Sequence, residues 1–333
     1  MNKIDFVITW VDGNDTEWQK ERNYYANVER ARNEYNPARF RDWGVLKYWF
    51  RGVEKYTPWV NNIFFLTCGQ LPEWLDTNNP KLKIVKHEDF IPAEYLPTFN
   101  SYVIEFYMHK IKGLSEQFVY FNDDMFVLRP IVSTRFFRKG LPCDLGGMTV
   151  NIHVGMFGAN VLLAKTLINE HFRKREVVRK NISKWFNITY VRQSIINLIC
   201  VLVRKDEFVG FVNPHIPQAY LKKVYEEVWN KCEKDLLRTS YSKFRDYGDI
   251  CHWIIRYWQL ASGYFTPYNT LKDSCYFVVK DDTISDITNC ICQQKKELIC
   301  INDSEKTNNY ENLKNMVVKA FDELLPEKCS FEL

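Results

Sequence analysis

Through its first 130 residues the chain alternates short apolar runs with longer stretches in which apolar residues recur every three or four positions. Residues 4–11 (IDFVITWV), 62–67 (NIFFLT), 82–85 and 117–121 (QFVYF) are largely apolar and rich in β-branched and aromatic side chains. That is the signature of strands covered on both faces. Between them, 45–56 places Leu46, Trp49, Phe50 and Val53 on one helical face and stops before Pro58, and 100–111 reads as a helix ended by Gly113. Asp12-Gly13-Asn14-Asp15 closes the first strand with turn chemistry, and Asp15 is placed to cap the polar helix that follows. Strands separated by helices build a mostly parallel sheet with helices on both faces. Such sheets bind ligands beyond the carboxyl ends of their strands. Asp12-Gly13-Asn14, Cys68-Gly69-Gln70 and Asn122-Asp123-Asp124 each follow a strand, so they should gather along one edge.

The pattern loosens between 129 and 212, where a Gly146-Gly147 turn is flanked by helical patterns near 160–173 and 191–205. Pro214-His215-Ile216-Pro217 is a stiff loop. Helices are expected at 218–237 and 250–261, strands at 272–280 and 295–302, and an amphipathic helix at 313–324. With no internal repeat and no low-complexity linker, residues 1–333 read as one unit. It comprises an α/β half (1–130), a helical insertion (131–270), and a returning strand with a C-terminal helix (271–333).

Composition narrows the class. A net charge of +4 is too small to argue for nucleic acid, and it suits anionic substrates or an anionic membrane surface. Ten scattered cysteines in a long chain read as reduced, mostly buried thiols, with Cys290, Cys292 and Cys300 a weak match to zinc spacing. Met1-Asn2-Lys3 runs directly into a strand pattern, without the look of a signal peptide. The longest apolar run, about 195–203, falls short of the roughly 20 residues that span a bilayer. A cytoplasmic protein is expected, meeting a membrane at most peripherally, at its inner face.

Four groups of residues could carry chemistry. Asp123 and Asp124 stand where carboxylates hold Mg²⁺ or Mn²⁺ against a diphosphate, though a capping or turn pair reads equally well from the residues. Adjacent aspartates reach one ion together only if the strand ends there and the chain turns. In Trp10-Val11-Asp12-Gly13-Asn14, the glycine permits close backbone approach and Trp10 could stack on a base or sugar; a plain turn beside a core Trp is the alternative. His215, between two prolines, has the stiffness of a general base, and His87 and His153 stand second to it. Arg39, Arg41, Lys243, Arg245 and Arg256 are candidate phosphate clamps, and Asp303 offers a carboxylate at a late strand end. Neither G-x-x-x-x-G-K-[ST] nor G-x-G-x-x-G occurs, so nothing supports a P-loop or dinucleotide site.

At these residues the chain resembles the Stealth family of polysaccharide phosphotransferases, which includes the catalytic subunit of animal N-acetylglucosamine-1-phosphotransferase. Four blocks carry the likeness, in the family's order. The first is 4–15 with Glu17-Trp18. The second is Arg39-Phe40-Arg41-Asp42 and 51–60, continuing through Pro97-Thr98-Phe99-Asn100-Ser101 and Gly113-Leu114-Ser115 to 120–126. The third is 214–218, Lys243-Phe244-Arg245 and Tyr257-Trp258-Gln259; the fourth is 300–304 with Ser330-Phe331-Glu332-Leu333. Trp43 and Trp49 depart from the pattern, where smaller or polar residues are expected and where they would reshape the acceptor side.

The resemblance implies a Rossmann-like, glycosyltransferase-A-like fold whose first half binds a nucleotide sugar and whose insertion meets the acceptor. It implies transfer of a hexose-1-phosphate onto a sugar hydroxyl of an oligosaccharide or polysaccharide, lipid-linked acceptors included, with Mg²⁺ or Mn²⁺. His215, Arg245 and Asp124 would be catalytic. Asp123, Asp124 and Asp303 would hold the metal. Trp10, Asp12, Gly13, Asn14, Arg39, Arg41, Asn100, Asn122 and Lys243 would contact substrate. A metal-dependent glycosyltransferase releasing a nucleoside diphosphate is the alternative. A non-catalytic sugar- or nucleotide-binding subunit is a third reading, against which the full set of titratable motifs speaks.

Overall fold

A computed structural model describes residues 3–28, 40–152, 154–203, 206–304, 307 and 309–333. Arg39 and His153 lie outside the described residues.

The apolar runs form the central sheet. Strands β1 (Ile4–Thr9), β2 (Ile63–Thr67), β3 (Leu82–Lys86) and β4 (Gln117–Phe121) are parallel in the order β3-β2-β1-β4. Between β1 and β4 come helices α1 (Thr16–Val28), α2 (Leu46–Tyr56) and α3 (Ser101–Tyr107). β2 and β4 are buried at every position, as continuous apolar runs require. Register aligns the strand ends: Ile8 lies opposite Phe65 and Phe121. The residues that follow β1, β2 and β4 therefore share one edge.

Two short sheets flank this one. β5 (Met125–Val127) returns immediately after the Asn122–Asp124 turn. β6 (Phe137–Arg138) and β7 (Leu141–Asp144) make a hairpin. The insertion then supplies α4 (Gly155–His171), α5 (Lys174–Lys180), α6 (Ile182–Trp185) and α7 (Val191–Leu202). α5 and α6 are too short to show a helical period in sequence.

The expected helix at 218–237 is corrected in its first four residues. They form β8 (Gln218–Leu221), antiparallel to β4 and closing the central sheet, before α8 (Lys222–Ser240) begins. Four fully buried residues cannot be told from a buried helical turn by periodicity. α9 (Trp253–Ala261) and β9 (Thr266–Pro267) follow. β10 (Ser274–Val278), α10 (Ile284–Cys292) and β11 (Leu298–Asn302) complete the sheet β10-β11-β5, and α11 (Tyr310–Leu324) ends the helical part.

Close approach fixes two glycines. A Cβ at Gly13 would lie 1.9 Å from the Phe40 carbonyl oxygen, and one at Gly52 on α2 would lie 2.7 Å from that of Val127 on β5. Trp49 belongs to the core, fully buried against Phe50 and Phe121, and Trp43 packs edge-on against Tyr310. Trp49 is thus a core residue with no surface to offer an acceptor. The last residues close on the sheet: Glu332 accepts two hydrogen bonds from Arg51, both 2.7 Å, and pairs with Leu75 through an antiparallel bridge. The second and fourth sequence blocks thus meet in space. Cys290, Cys292 and Cys300 do not form a zinc site. Cys290 faces Cys275, Cys292 faces α11, and Cys300 points toward Asp124.

Candidate active site

β4 ends at Phe121 and the chain turns at once, the Met125 amide donating to the Asn122 carbonyl. β5 then pairs antiparallel with β11, Met125 opposite Cys300. This pairing carries Cys300 Sγ to 3.3 Å from Asp124 Oδ2. β8 runs antiparallel to β4 with Gln218 opposite Tyr120, so the loop before Gln218 faces the turn after Phe121. His215 Nε2 lies there, 3.7 Å from Asp124 Oδ2.

The His215 loop is held from beneath. Arg256 Nη1 donates to the Val212 carbonyl at 2.6 Å, Tyr257 donates to Asn213 Oδ1 at 2.7 Å, and Gln218 donates to the carbonyls of Pro214 and Ile216. Arg256 is itself fully buried and bidentate to Asp144, so it braces the loop and does not clamp a phosphate.

The electrostatics suit an anion with a counter-ion. Asp123 is exposed, on the turn beside Asp124. Burial and the neighbouring Asp124 charge push its carboxyl up to about 7. For His215, burial alone would lower the pKa, but Asp124 beside it, with Glu105 beyond, more than offsets this and raises it. Burial, then the Asp124 charge, holds the Cys300 thiol well above its usual range, so it stays protonated and donates to Asp124.

A second layer was not foreseen. Glu105, buried on α3, accepts from Tyr120, which also contacts Thr9 at the end of β1. His252 Nδ1 lies 2.6 Å from Glu105 Oε2, close but not aligned as a hydrogen bond. Burial would raise the Glu105 pKa, but His252 and then Arg245 overcome it and the net shift is downward. Arg245 stacks over Tyr102, bonds Ser101, and acts electrostatically on both Glu105 and His215. Tyr276 meets the His215 ring edge-on at 5.7 Å. A single acidic residue inside the apolar helix pattern at 100–111 was the one sequence signal for Glu105.

The other expected residues divide. Asp12, Gly13 and Asn14 reach the same edge, where Gln70 brackets the Asp12 backbone from both sides. Trp10 is half-buried on Phe65. Asn122 opens the turn that carries Asp123 and Asp124. Asn100 is fully buried: it caps α3 and donates to Asp249, tying down the segment that carries Arg245. Lys243 donates to the Leu96 and Pro97 carbonyls. Asn100 is therefore corrected from a substrate contact to a brace, while Lys243, half-buried, is engaged with the chain. Arg41 and Asp303 form a two-pronged ion pair, 2.8 and 2.9 Å, so phosphate clamp and third metal carboxylate are engaged with each other. His87 is half-buried at the end of β3, and burial pushes its pKa down to about 4.

Asp124, His215 and Cys300 offer donor atoms within 4.8 Å of one another and could hold a metal ion. Asp124 Oδ1 is buried and has no hydrogen-bond partner. An ion that supplied the missing partner would relieve that cost. With Cys300 a thiol, Asp124 is the carboxylate of this group, with Asp123 next to it on the same turn. That fits an oxygen-seeking cation anchored by one or two carboxylates and completed by water and substrate phosphates.

The same geometry lies in segments shared with known proteins. Stealth protein conserved region 1 matches residues 2–27 and conserved region 2 matches 39–143, covering β1, the strand-end turn 122–124, and Glu105. The chain is 43% identical to the capsular polysaccharide phosphotransferase WcwK of Streptococcus pneumoniae, over all of this chain and 98% of that protein. It is 38% identical to the receptor polysaccharide phosphotransferase WefC of Streptococcus oralis over the full length of both. To the exopolysaccharide phosphotransferase cps2G of Lactiplantibacillus plantarum it is 37% identical, over 99% of this chain and 96% of that protein. End-to-end similarity to several such proteins, with both conserved regions in order, establishes that the chain belongs to the Stealth family.

Proposed function

We propose that this protein is a polysaccharide phosphotransferase that moves a hexose-1-phosphate from a nucleotide sugar to a sugar hydroxyl, forming a phosphodiester in a capsular or exopolysaccharide. The convergence of Asp124 and His215 at the carboxyl edge of the sheet carries the reading. Acceptors are oligosaccharide or polysaccharide chains, lipid-linked ones among them, met in the cytoplasm.

In this reading Asp12–Asn14 and Trp10 border the nucleotide. Asp124, with Asp123, would hold Mg²⁺ or Mn²⁺, which when bound neutralises diphosphate charge. His215 takes the proton from the acceptor hydroxyl, whose oxygen attacks the phosphorus next to the sugar, and a nucleoside monophosphate leaves. Asp124 stabilises the imidazolium that forms. Arg245 offsets charge spread over the transferring phosphoryl group. The Glu105–Tyr120 pair fixes the floor on which these groups stand.

Incubation with a panel of nucleotide sugars and a sugar acceptor, followed by chromatography of the released nucleotide, tests the reading. A nucleoside monophosphate is expected. A nucleoside diphosphate would instead identify a glycosyltransferase attacking the anomeric carbon.

A further inference from the structure

Helix α7 is built inside out. Its solvent side carries Val191, Ile195, Leu198, Ile199 and Leu202, spaced as one stripe, and Leu202 is 72% exposed. Its protein side mixes amides with Cys200 and Val201, which pack on the core. Asn197 is fully buried, donating to the carbonyls of Gly146 and Trp185, both 2.6 Å, and accepting from the Met148 amide at 2.7 Å. Gln193 donates to the Met148 carbonyl at 2.7 Å. These bonds lock the helix rotation. Turning the stripe inward would strip a buried amide of its partners, so the apolar face is fixed toward solvent.

The stripe has neighbours. Ile188, in the turn that leads into α7, is 88% exposed. Val150, Ile152 and Val154 are also exposed, on the segment that leaves Met148 beside the helix. Exposed aliphatic residues gathered on one helix face and on the segment bonded to it mark an interaction site.

Charge says what covers it. Residues 171–203 hold seven Lys and Arg against one Glu, a surplus of six, while the other 38 basic and 40 acidic residues leave the rest of the chain slightly negative. Lys174 binds the Cys200 and Val203 carbonyls and so ties the start of α5 to the end of α7. Arg173, Arg175, Arg179 and Lys180 are exposed around α5, and Arg192 is exposed on α7 itself. Aliphatic side chains fringed by exposed cations fit the boundary between acyl chains and anionic headgroups. Among the described residues no helix is long and apolar enough to cross a membrane, so the helix would lie on the surface.

We propose that the outward face of α7, with its basic fringe, docks the protein on an anionic lipid bilayer. The proposal deepens the functional reading above, because it names the surface on which a lipid-linked acceptor would be met.

The test is co-sedimentation of the full chain with extruded vesicles, without donor or acceptor. Wild type should pellet with phosphatidylglycerol–phosphatidylcholine vesicles and far less with phosphatidylcholine alone. Ile195→Asn/Ile199→Asn/Leu202→Asn alters only exposed positions, so its circular dichroism and unfolding midpoint should match wild type while vesicle binding falls at least about 100-fold. Arg175→Glu/Arg179→Glu/Lys180→Glu should lose the anionic preference, about tenfold or more. Activity on a water-soluble acceptor should persist in both. Wild type left in the supernatant, or a stripe variant that pellets normally, overturns the proposal. A stripe-dependent dimer in sedimentation velocity without vesicle binding would assign the face to a second copy instead. A protein that docks but transfers no phosphate would overturn the functional reading and leave this one standing.

Discussion

Replacing Arg256 tests how the fold holds its candidate base. The guanidinium is fully buried, binds Asp144 at 2.8 and 2.9 Å, and donates to Val212 at 2.6 Å, three residues before His215. In Arg256→Met the Asp144 carboxylate remains buried with its charge uncompensated, keeping, among the described residues, the Leu145 amide as a donor to it. Breaking such a pair costs about 3–5 kcal/mol. The double variant Asp144→Leu/Arg256→Met removes the stranded charge, and urea unfolding should place it within about 2 kcal/mol of wild type. The Val212 carbonyl still lacks its anchor. A loop displaced by about 1 Å would lower kcat about 10²-fold, with stability largely recovered. Recovery of both stability and kcat in the double variant would refute the claim that Arg256 positions the His215 loop. A single variant costing under about 1 kcal/mol would refute the claim that the pair supports the fold.

Other perturbations address the site and the chain ends. Asp124→Asn should lower kcat on the order of 10²–10³-fold while circular dichroism stays native, and chelation of wild type should abolish activity that Mg²⁺ or Mn²⁺ restores. Activity that survives chelation would remove the metal from the account. His215→Ala should lose about 10²–10⁴-fold in kcat and keep nucleotide-sugar affinity in calorimetry, because the base acts on the acceptor. Glu332 has its pKa held below the usual value: burial would raise it, but the Arg51 hydrogen bonds more than offset this. Its stabilising contribution is therefore present above its unfolded pKa and disappears as pH falls through the lower folded value. Glu332→Gln should cost about 2–4 kcal/mol at pH 7 and flatten the acid limb of the stability profile; an unchanged limb would contradict the pairing.

The parallel sheet and the edge where its strands end were legible because strands buried on both faces leave uninterrupted apolar runs, as in 63–67 and 117–121. The Asp123-Asp124 turn and the His215 loop were legible because turn and proline chemistry are local. They were expected in one site, but the route by which the chain brings them together was not legible. It depends on β8 running antiparallel to β4, and four buried residues before a helix give no period from which to read a strand. The pairing of Arg41 with Asp303 across 262 residues, and the burial of Asn100, were hidden for the same reason. A charged or amide side chain looks alike in sequence whether it faces substrate or another part of the chain. Glu105 and His252 belong to neither a turn nor a proline loop, and only α3 packing near α9 brings them together.

The central claim is that phosphorus, and not carbon, is attacked. Phosphorus NMR of polymer made by the purified protein from a nucleotide sugar and acceptor tests it most directly. The account predicts a phosphodiester signal in the product, matched mole for mole by released nucleoside monophosphate. A product without phosphorus, accompanied by nucleoside diphosphate, would contradict it.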